Sequence, residues 1–318
     1  MATNLAVFFV GSAIGLAAFG SLGFYHVTMT TAVRINPDEP ARSIALLTIW
    51  GALASAIFLP GAAWLESRFG WRDTVRAMAA VSAAAFVLAA IVLPSTAPVQ
   101  RTERQSVATL LKSTVATPAP RLFTMVVGFG GLAMSTMLVF QVPIMTAAGL
   151  GTATAASMAG LRGFCQLGGR LPLTPIVNRL GRDGALILAF VAITIGGLLL
   201  VVSGTTSIAI AFAIVAGFGI GAFSPLQGMK GEELFARESL GATMGVYGAV
   251  LLLAGSPGPI VGGFILQRTN DARWVSVIVI VASACALVSA VRLARVEQPA
   301  PTNAPTPAST ATLSLIHI

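Results

Sequence analysis

Three polar residues share one otherwise apolar stretch: Arg162, Gln166 and Arg170, in the run Gly160-Leu161-Arg162-Gly163-Phe164-Cys165-Gln166-Leu167-Gly168-Gly169-Arg170. Gln166 and Arg170 are four positions apart, a spacing that puts two side chains on one face of a helix. A guanidinium is planar, permanently charged and presents parallel N–H donors that match a carboxylate. An arginine in hydrocarbon costs about 2.5–3.5 kcal/mol even on insertion scales, so such residues face a cavity or pathway. Arg170 is therefore the first candidate ligand for an organic anion; the competing role is a snorkelling anchor near the cytoplasmic face. Gln166 would hydrogen-bond either that guest or a neighbouring helix. Arg162 has no acidic partner in its own run and faces the same cavity or reaches the outer mouth. Gln141, shortly before Pro143, lines the path or satisfies backbone that the proline loosens. His26 titrates near physiological pH and could relay protons, although a histidine near a helix end is otherwise structural.

The elements that position these residues must be membrane helices. Of 318 residues, 56% are apolar and only 9% charged, whereas soluble domains carry roughly 25% charged residues. So few charges cannot cover so much apolar surface in water, and the lipid bilayer is the solvent. The net charge of +8 comes from small basic groups between apolar runs, without the stripe or aromatic platform that nucleic acid needs. Cys165 and Cys285 are isolated, and His26 and His317 are the only histidines. No metal centre, disulfide framework, cofactor motif or Ser-His-Asp triad is expected from them. Glu66, Glu232 and Glu233 fall at the ends of apolar runs, which leaves a membrane enzyme without acids inside the bilayer.

At ~20 apolar residues per crossing, the sequence predicts nine spans, near 5–29, 43–65, 73–94, 121–146, 152–177, 184–203, 206–229, 240–266 and 274–293. Residues 95–120 read as a linker between a three-helix unit (1–94) and a six-helix unit (121–296), and the Pro/Ala/Thr-rich 297–318 as a disordered tail. With the linker in the cytoplasm, Arg34, Arg42, Arg101, Arg104, Lys112, Arg121, Arg179, Arg182, Lys230, Arg237, Arg292 and Arg295 lie inside, against Arg68, Arg72, Arg76, Arg268 and Arg273 outside. That split follows the positive-inside tendency and leaves the C-terminus cytoplasmic.

Two regions echo each other. Ala41-Arg42, Gly51 and Pro60-Gly61 parallel Ala236-Arg237, Gly248 and Pro257-Gly258, displaced by 197 residues between the first glycines. Such an offset is half a two-bundle transporter built from repeats. Projecting it backwards places about three helices before Met1, so the sequence is expected to be the last nine of twelve.

Several motifs in order resemble the major facilitator superfamily and, within it, the monocarboxylate-porter-like branch. Gly11-x3-Gly15-x4-Gly20 with Tyr25 is similar to that family's fourth helix. Arg34…Ala41-Arg42, Gly51, Pro60 and Gly70-Trp71-Arg72 are similar to the segment around the fifth. Gly149-Leu150…Gly160-Leu161-x-Gly163-x-x-Gln166-x-x-Gly169-Arg170 resembles its seventh-to-eighth helix region. Asn178-Arg179-Leu180-Gly181-Arg182 resembles the Asp-Arg-x-Gly-Arg loop, with asparagine for aspartate.

The resemblance implies an all-α integral membrane protein of two bundles that moves a small organic anion, a monocarboxylate, by alternating access. Arg170 would hold the carboxylate, and Tyr25 would line the cavity beside Gln166, Arg162 and Gln141. Animal members carry an aspartate where Gln166 stands, so proton coupling through that position is in doubt. Arg34, Arg42, Arg179, Arg182, Glu233 and Arg237 read as gate elements, since cytoplasmic ion pairs hold the inward side shut in the resembled family. The alternatives are efflux of amphipathic compounds through a cavity lined by Met134, Met137, Phe140 and Met145, or a non-transporting membrane fragment. If the latch reading holds, Arg42→Ala or Arg237→Ala shifts the inward/outward balance. Labelling of cavity cysteines by an impermeant thiol reagent checks this, and unchanged labelling in both variants removes the latch.

Overall fold

The computed structural model describes residues 40–93, 107–235 and 237–296, with isolated positions between 9 and 36. Among the described residues there is helix and no strand. In chain order the elements are α1 (Pro40–Val92), α2 (Val107–Ala116), α3 (Pro118–Ala147), α4 (Thr152–Arg170) and α5 (Leu173–Val201). They continue with α6 (Thr206–Leu234), α7 (Arg237–Gly255), α8 (Pro257–Thr269), a short 3-10 turn (Ala272–Val275) and α9 (Ser276–Ala294). Among the described residues, six stretches are long and apolar enough to cross a membrane: Trp64–Val92, Pro118–Ala147, Leu173–Val201, Thr206–Leu234, Ala242–Thr269 and Ala272–Ala294. The expected first span, 5–29, lies outside the described residues apart from isolated positions.

Two long helices break at a glycine. Gly70 in α1 has φ 76° and ψ 164°, and Gly181 in α5 has φ 72° and ψ 173°. No side chain crowds either position; the backbone region itself is open essentially to glycine alone. Both sit in similar sequence, Arg68-Phe69-Gly70-Trp71-Arg72-Asp73 and Arg179-Leu180-Gly181-Arg182-Asp183, and both fall where a turn is expected.

The core lies among α3, α4, α5, α6 and α9. Phe123, Phe190, Phe212 and Phe223 are fully buried there, and the Phe190 and Phe223 rings meet edge to face at 5.0 Å. Packing against lipid supplies no hydrophobic drive, so helices associate through close fit of small residues. The α4–α6 seam shows this. A Cβ on Gly169 would strike the Phe218 carbonyl and the Ala222 amide, one on Gly217 the Arg162 carbonyl and Cys165, and one on Gly221 the Gln166 backbone. The two backbones touch, and α1 packs on α4 as well.

Prolines divide two of the expected spans. The 152–177 span stops at Arg170, turns at Leu171–Pro172 and resumes as α5. Pro172 and Pro175 lack the N–H groups that would bond back to the carbonyls of Gly168 and Leu171. The 240–266 span is interrupted at Ser256 between α7 and α8. There Pro257 and Pro259 leave the carbonyls of Leu253 and Gly255 without their helical donors. The Ser256 hydroxyl donates to Leu253 O at 2.9 Å, and the Ser135 hydroxyl, from α3, donates to Gly255 O at 2.5 Å. Hydroxyls thus satisfy what the prolines expose, which is how membrane helices tolerate them.

The 95–120 linker is helical over part of its length. Thr124 on α3 donates its hydroxyl to the Thr114 carbonyl of α2 at 2.9 Å, and the buried Tyr247 of α7 donates to Pro120 O at 3.2 Å. The first bond docks α2 onto α3, and the second ties α7 to the start of α3. At the opposite connection, Asp271 caps the 3-10 turn and pairs with Arg273 at 2.7 Å. The Arg273 side-chain hydrogen bond, then the backbone one, hold its carboxyl below the usual range, so this loop keeps its ion pair into mildly acidic solution.

Gly169→Val should prevent the α4–α6 contact, because the atoms in its way are backbone, whereas Gly228→Ala faces open space and should be silent. Thermal unfolding in detergent is the check, with a loss of about 1–3 kcal/mol or more expected for the first.

Candidate functional site

Helix α4 is absent from the stretches apolar enough to cross a membrane alone, because Arg162, Gln166 and Arg170 interrupt it. A polar helix can stay at membrane depth only if protein or a watery cavity surrounds it. The glycine seam with α6 and the packing of α1 and α3 provide that enclosure.

Within it, Arg162 is 2% exposed. Its Nε donates to Gln141 Oε1 of α3 at 2.9 Å. Gln141 is buried too, and its amide nitrogen donates to Leu138 O at 3.1 Å, which turns the amide oxygen toward the arginine. Arg162 Nη1 is buried without a hydrogen-bond partner. Among the described residues no carboxylate pairs with this guanidinium. An arginine cannot shed its proton to relieve such burial, and a buried ion without a counter-charge costs several kcal/mol.

Gln166 is buried, and its backbone lies against Gly221. Arg170 is half-buried, and its Nε donates to the Gly221 carbonyl at 3.3 Å. It was expected two turns inside an unbroken span; instead it ends α4, because the prolines that follow stop the helix there. The structure thus brings Arg162 together with Gln141 and sets Gln166 and Arg170 against α6. The arginines stand about 12 Å apart along the helix, at 1.5 Å per residue. Tyr25 and His26 lie outside the described residues.

A second polar group occupies the ends of α5 and α6. Lys230 is 1% exposed, with Nζ 2.7 Å from Asp183 Oδ1 and 3.1 Å from Glu233 Oε1. Arg182 approaches Glu233 at 3.7 Å and donates to Met229 O at 2.9 Å. Arg182 and Glu233, two of the expected gate residues, thus lie side by side, while Arg179 is exposed. Arg34 and the side chains of Arg42 and Arg237 lie outside the described residues. Lys230 and Asp183, the closest pair, were missed in the sequence. The span was expected to end at 229, leaving Lys230 in a loop, but α6 runs to Leu234 and folds it inside. Its signal was a single lysine directly after an apolar run and three residues before Glu233.

Met137, Phe140 and Met145 are buried in the core, with Met134 packed against it, so they fill space rather than line a cavity for amphipathic compounds. An open apolar groove of about 320 Å³ lies elsewhere, between α3 and α7, lined by residues including Met125, Phe129 and Val250.

Comparison with known proteins gives the family. The family model of the Major Facilitator Superfamily matches residues 1–259 and again 144–317. The chain belongs to the major facilitator superfamily. As a member it is an integral, multi-pass membrane protein of a transporter family rather than an enzyme. The transcription regulatory protein OpdE of Pseudomonas aeruginosa is 31% identical over 96 residues, which is 30% of this chain and 23% of that protein. The match therefore spans about a quarter of that relative's length. A bacterial homolog of the human lysosomal transporter Spinster, solved inward-facing and unoccupied, is 13% identical with a TM-score of 0.46, covering 91% of this chain and 88% of the other.

Lys230→Met in this superfamily member would strand the Asp183 carboxylate and leave Glu233 with Arg182 alone. A destabilisation of about 3 kcal/mol is expected, at the low end for broken buried pairs. Adding Asp183→Asn should recover part of it, which thermal unfolding of the single and double variants measures.

Proposed function

We propose that the protein is a secondary transporter that carries a small organic anion, of the monocarboxylate class, across the cell membrane by alternating access. The observation that carries this reading is the buried guanidinium of Arg162, bonded to a neutral amide and lacking a carboxylate among the described residues. A fixed positive charge enclosed by helices selects a negative guest, and a cycle of binding and release requires that the charge not be cancelled permanently by the protein. In this reading the nine spans form a three-helix unit (1–94) and a six-helix bundle (121–296), joined by the cytoplasmic linker 95–120. The guest sits between them.

Arg170, nearer the cytoplasmic end and half-buried, meets the carboxylate first. Arg162 with Gln141 holds it where water is scarce, and Gln166 and Tyr25 shape the space around it. Gln166 is neutral, so a co-transported proton would travel by another group. The cluster of Arg182, Asp183, Lys230 and Glu233 closes the cytoplasmic side. Its charges are mutually paired, as a latch requires, whereas Arg162 has no such partner.

Reconstituted into liposomes, the protein should take up labelled lactate or pyruvate. Arg162→Ala and Arg170→Ala should each reduce uptake at least tenfold, while Arg162→Lys should restore little, because an ammonium lacks the planar fork. Uptake of an amphipathic dye with no response to monocarboxylates would instead favour the efflux reading.

A further inference from the structure

Pro225 lies inside α6. Having no N–H, it cannot bond to the carbonyl four residues earlier, which belongs to Gly221. That is the carbonyl to which Arg170 donates from α4. The helix on either side of this point is held differently. Up to Ala222, α6 is pinned to α4 by the contacts of Gly217 and Gly221 and by Gly169 of α4 reaching Phe218 and Ala222. Beyond it, Lys230 and Glu233 are held by ion pairs to Asp183 and Arg182, next to the break at Gly181. Pro225 thus separates a segment in backbone contact with α4 from one whose end carries the ion pairs. Sharp bends in helices concentrate at such prolines, where the backbone ladder is already open.

We propose that Arg170 is a positioning residue that caps the Pro225 hinge, and that an anion drawn to its guanidinium loosens the cap and frees the ion-paired end of α6 to swing. The anion half of this rests on the transport reading above; the hinge half does not. A charged donor on a carbonyl makes a stronger bond than a neutral one, so the capped hinge is held in one bend. A carboxylate competes for the same donors with a full negative charge, which a carbonyl cannot match. Occupancy near α4 is thereby linked to the cytoplasmic latch through one hydrogen bond and one missing N–H.

Distance measurement by electron paramagnetic resonance tests this in the whole chain, reconstituted, with Cys165 and Cys285 changed to Ala. Spin labels go at Ser157→Cys on α4 and Gly228→Cys beyond the hinge, both exposed. Arg170→Gln should add a longer-distance population. Pro225→Ala restores the N–H to Gly221, so the double variant should return to the single wild-type population. A merely structural role for Arg170 would not be rescued in this way. Sodium lactate, against sodium chloride as control, should produce the longer population in the wild type and not in Pro225→Ala. If Arg170→Gln leaves the distances unchanged, or if Pro225→Ala fails to suppress its effect, the hinge cap is overturned. If the variants behave as stated but lactate changes nothing, the anion trigger is overturned. Lactate uptake in the same vesicles reports separately on transport.

Discussion

The structure depends on keeping one polar helix away from lipid. α4 carries two arginines and a glutamine in nineteen residues, and hydrocarbon offers such groups no partners. The remedy is contact at the level of the backbone. Where Gly169, Gly217 and Gly221 remove their side chains, α4 and α6 approach until carbonyl meets Cα. The polar face of α4 is then covered by neighbours, and Arg162 can be 2% exposed without ever touching lipid. A single methyl at the seam would separate the helices and open that face.

Enclosure creates the functional tension. A desolvated guanidinium favours any negative charge far more than the same group in water does, and among the described residues a neutral amide answers it. The latch at the ends of α5 and α6 shows the contrasting design. There Lys230, equally buried, sits between two carboxylates. One buried cation is paired with carboxylates; the other, among the described residues, is bonded to a neutral amide.

The prolines extend the same logic to motion. Each one breaks the ladder and exposes a carbonyl, and each exposed carbonyl must find a donor or be hydrated. Between α7 and α8 the donors are serine hydroxyls, one from the break itself and one from α3. In α6 the donor is Arg170. A hydroxyl makes a quiet repair, since nothing charged competes for it. A guanidinium makes a repair that an anion can disturb.

Much of this was legible in residue types alone. Low charge and long apolar runs determine a multi-helix membrane protein, since no other solvent accommodates them. Gly70 and Gly181, each between an arginine two residues before and an arginine or tryptophan just after, mark backbone breaks because only glycine enters that region of φ and ψ. The polar residues of α4 announce an interior site because lipid excludes them. What the sequence could not rank was which arginine is buried, because exposure is set by neighbours distant in the chain: Gln141 stands 21 residues from Arg162, and Gly221 stands 51 from Arg170. It could not place Lys230 inside α6, since hydropathy ends a span where charge begins while the helix continues if acids wait beside it. Periodicity and composition specify helices and their solvent. Only the packing of one helix on another decides which charges are answered and which are left open, because that depends on distances no local pattern encodes.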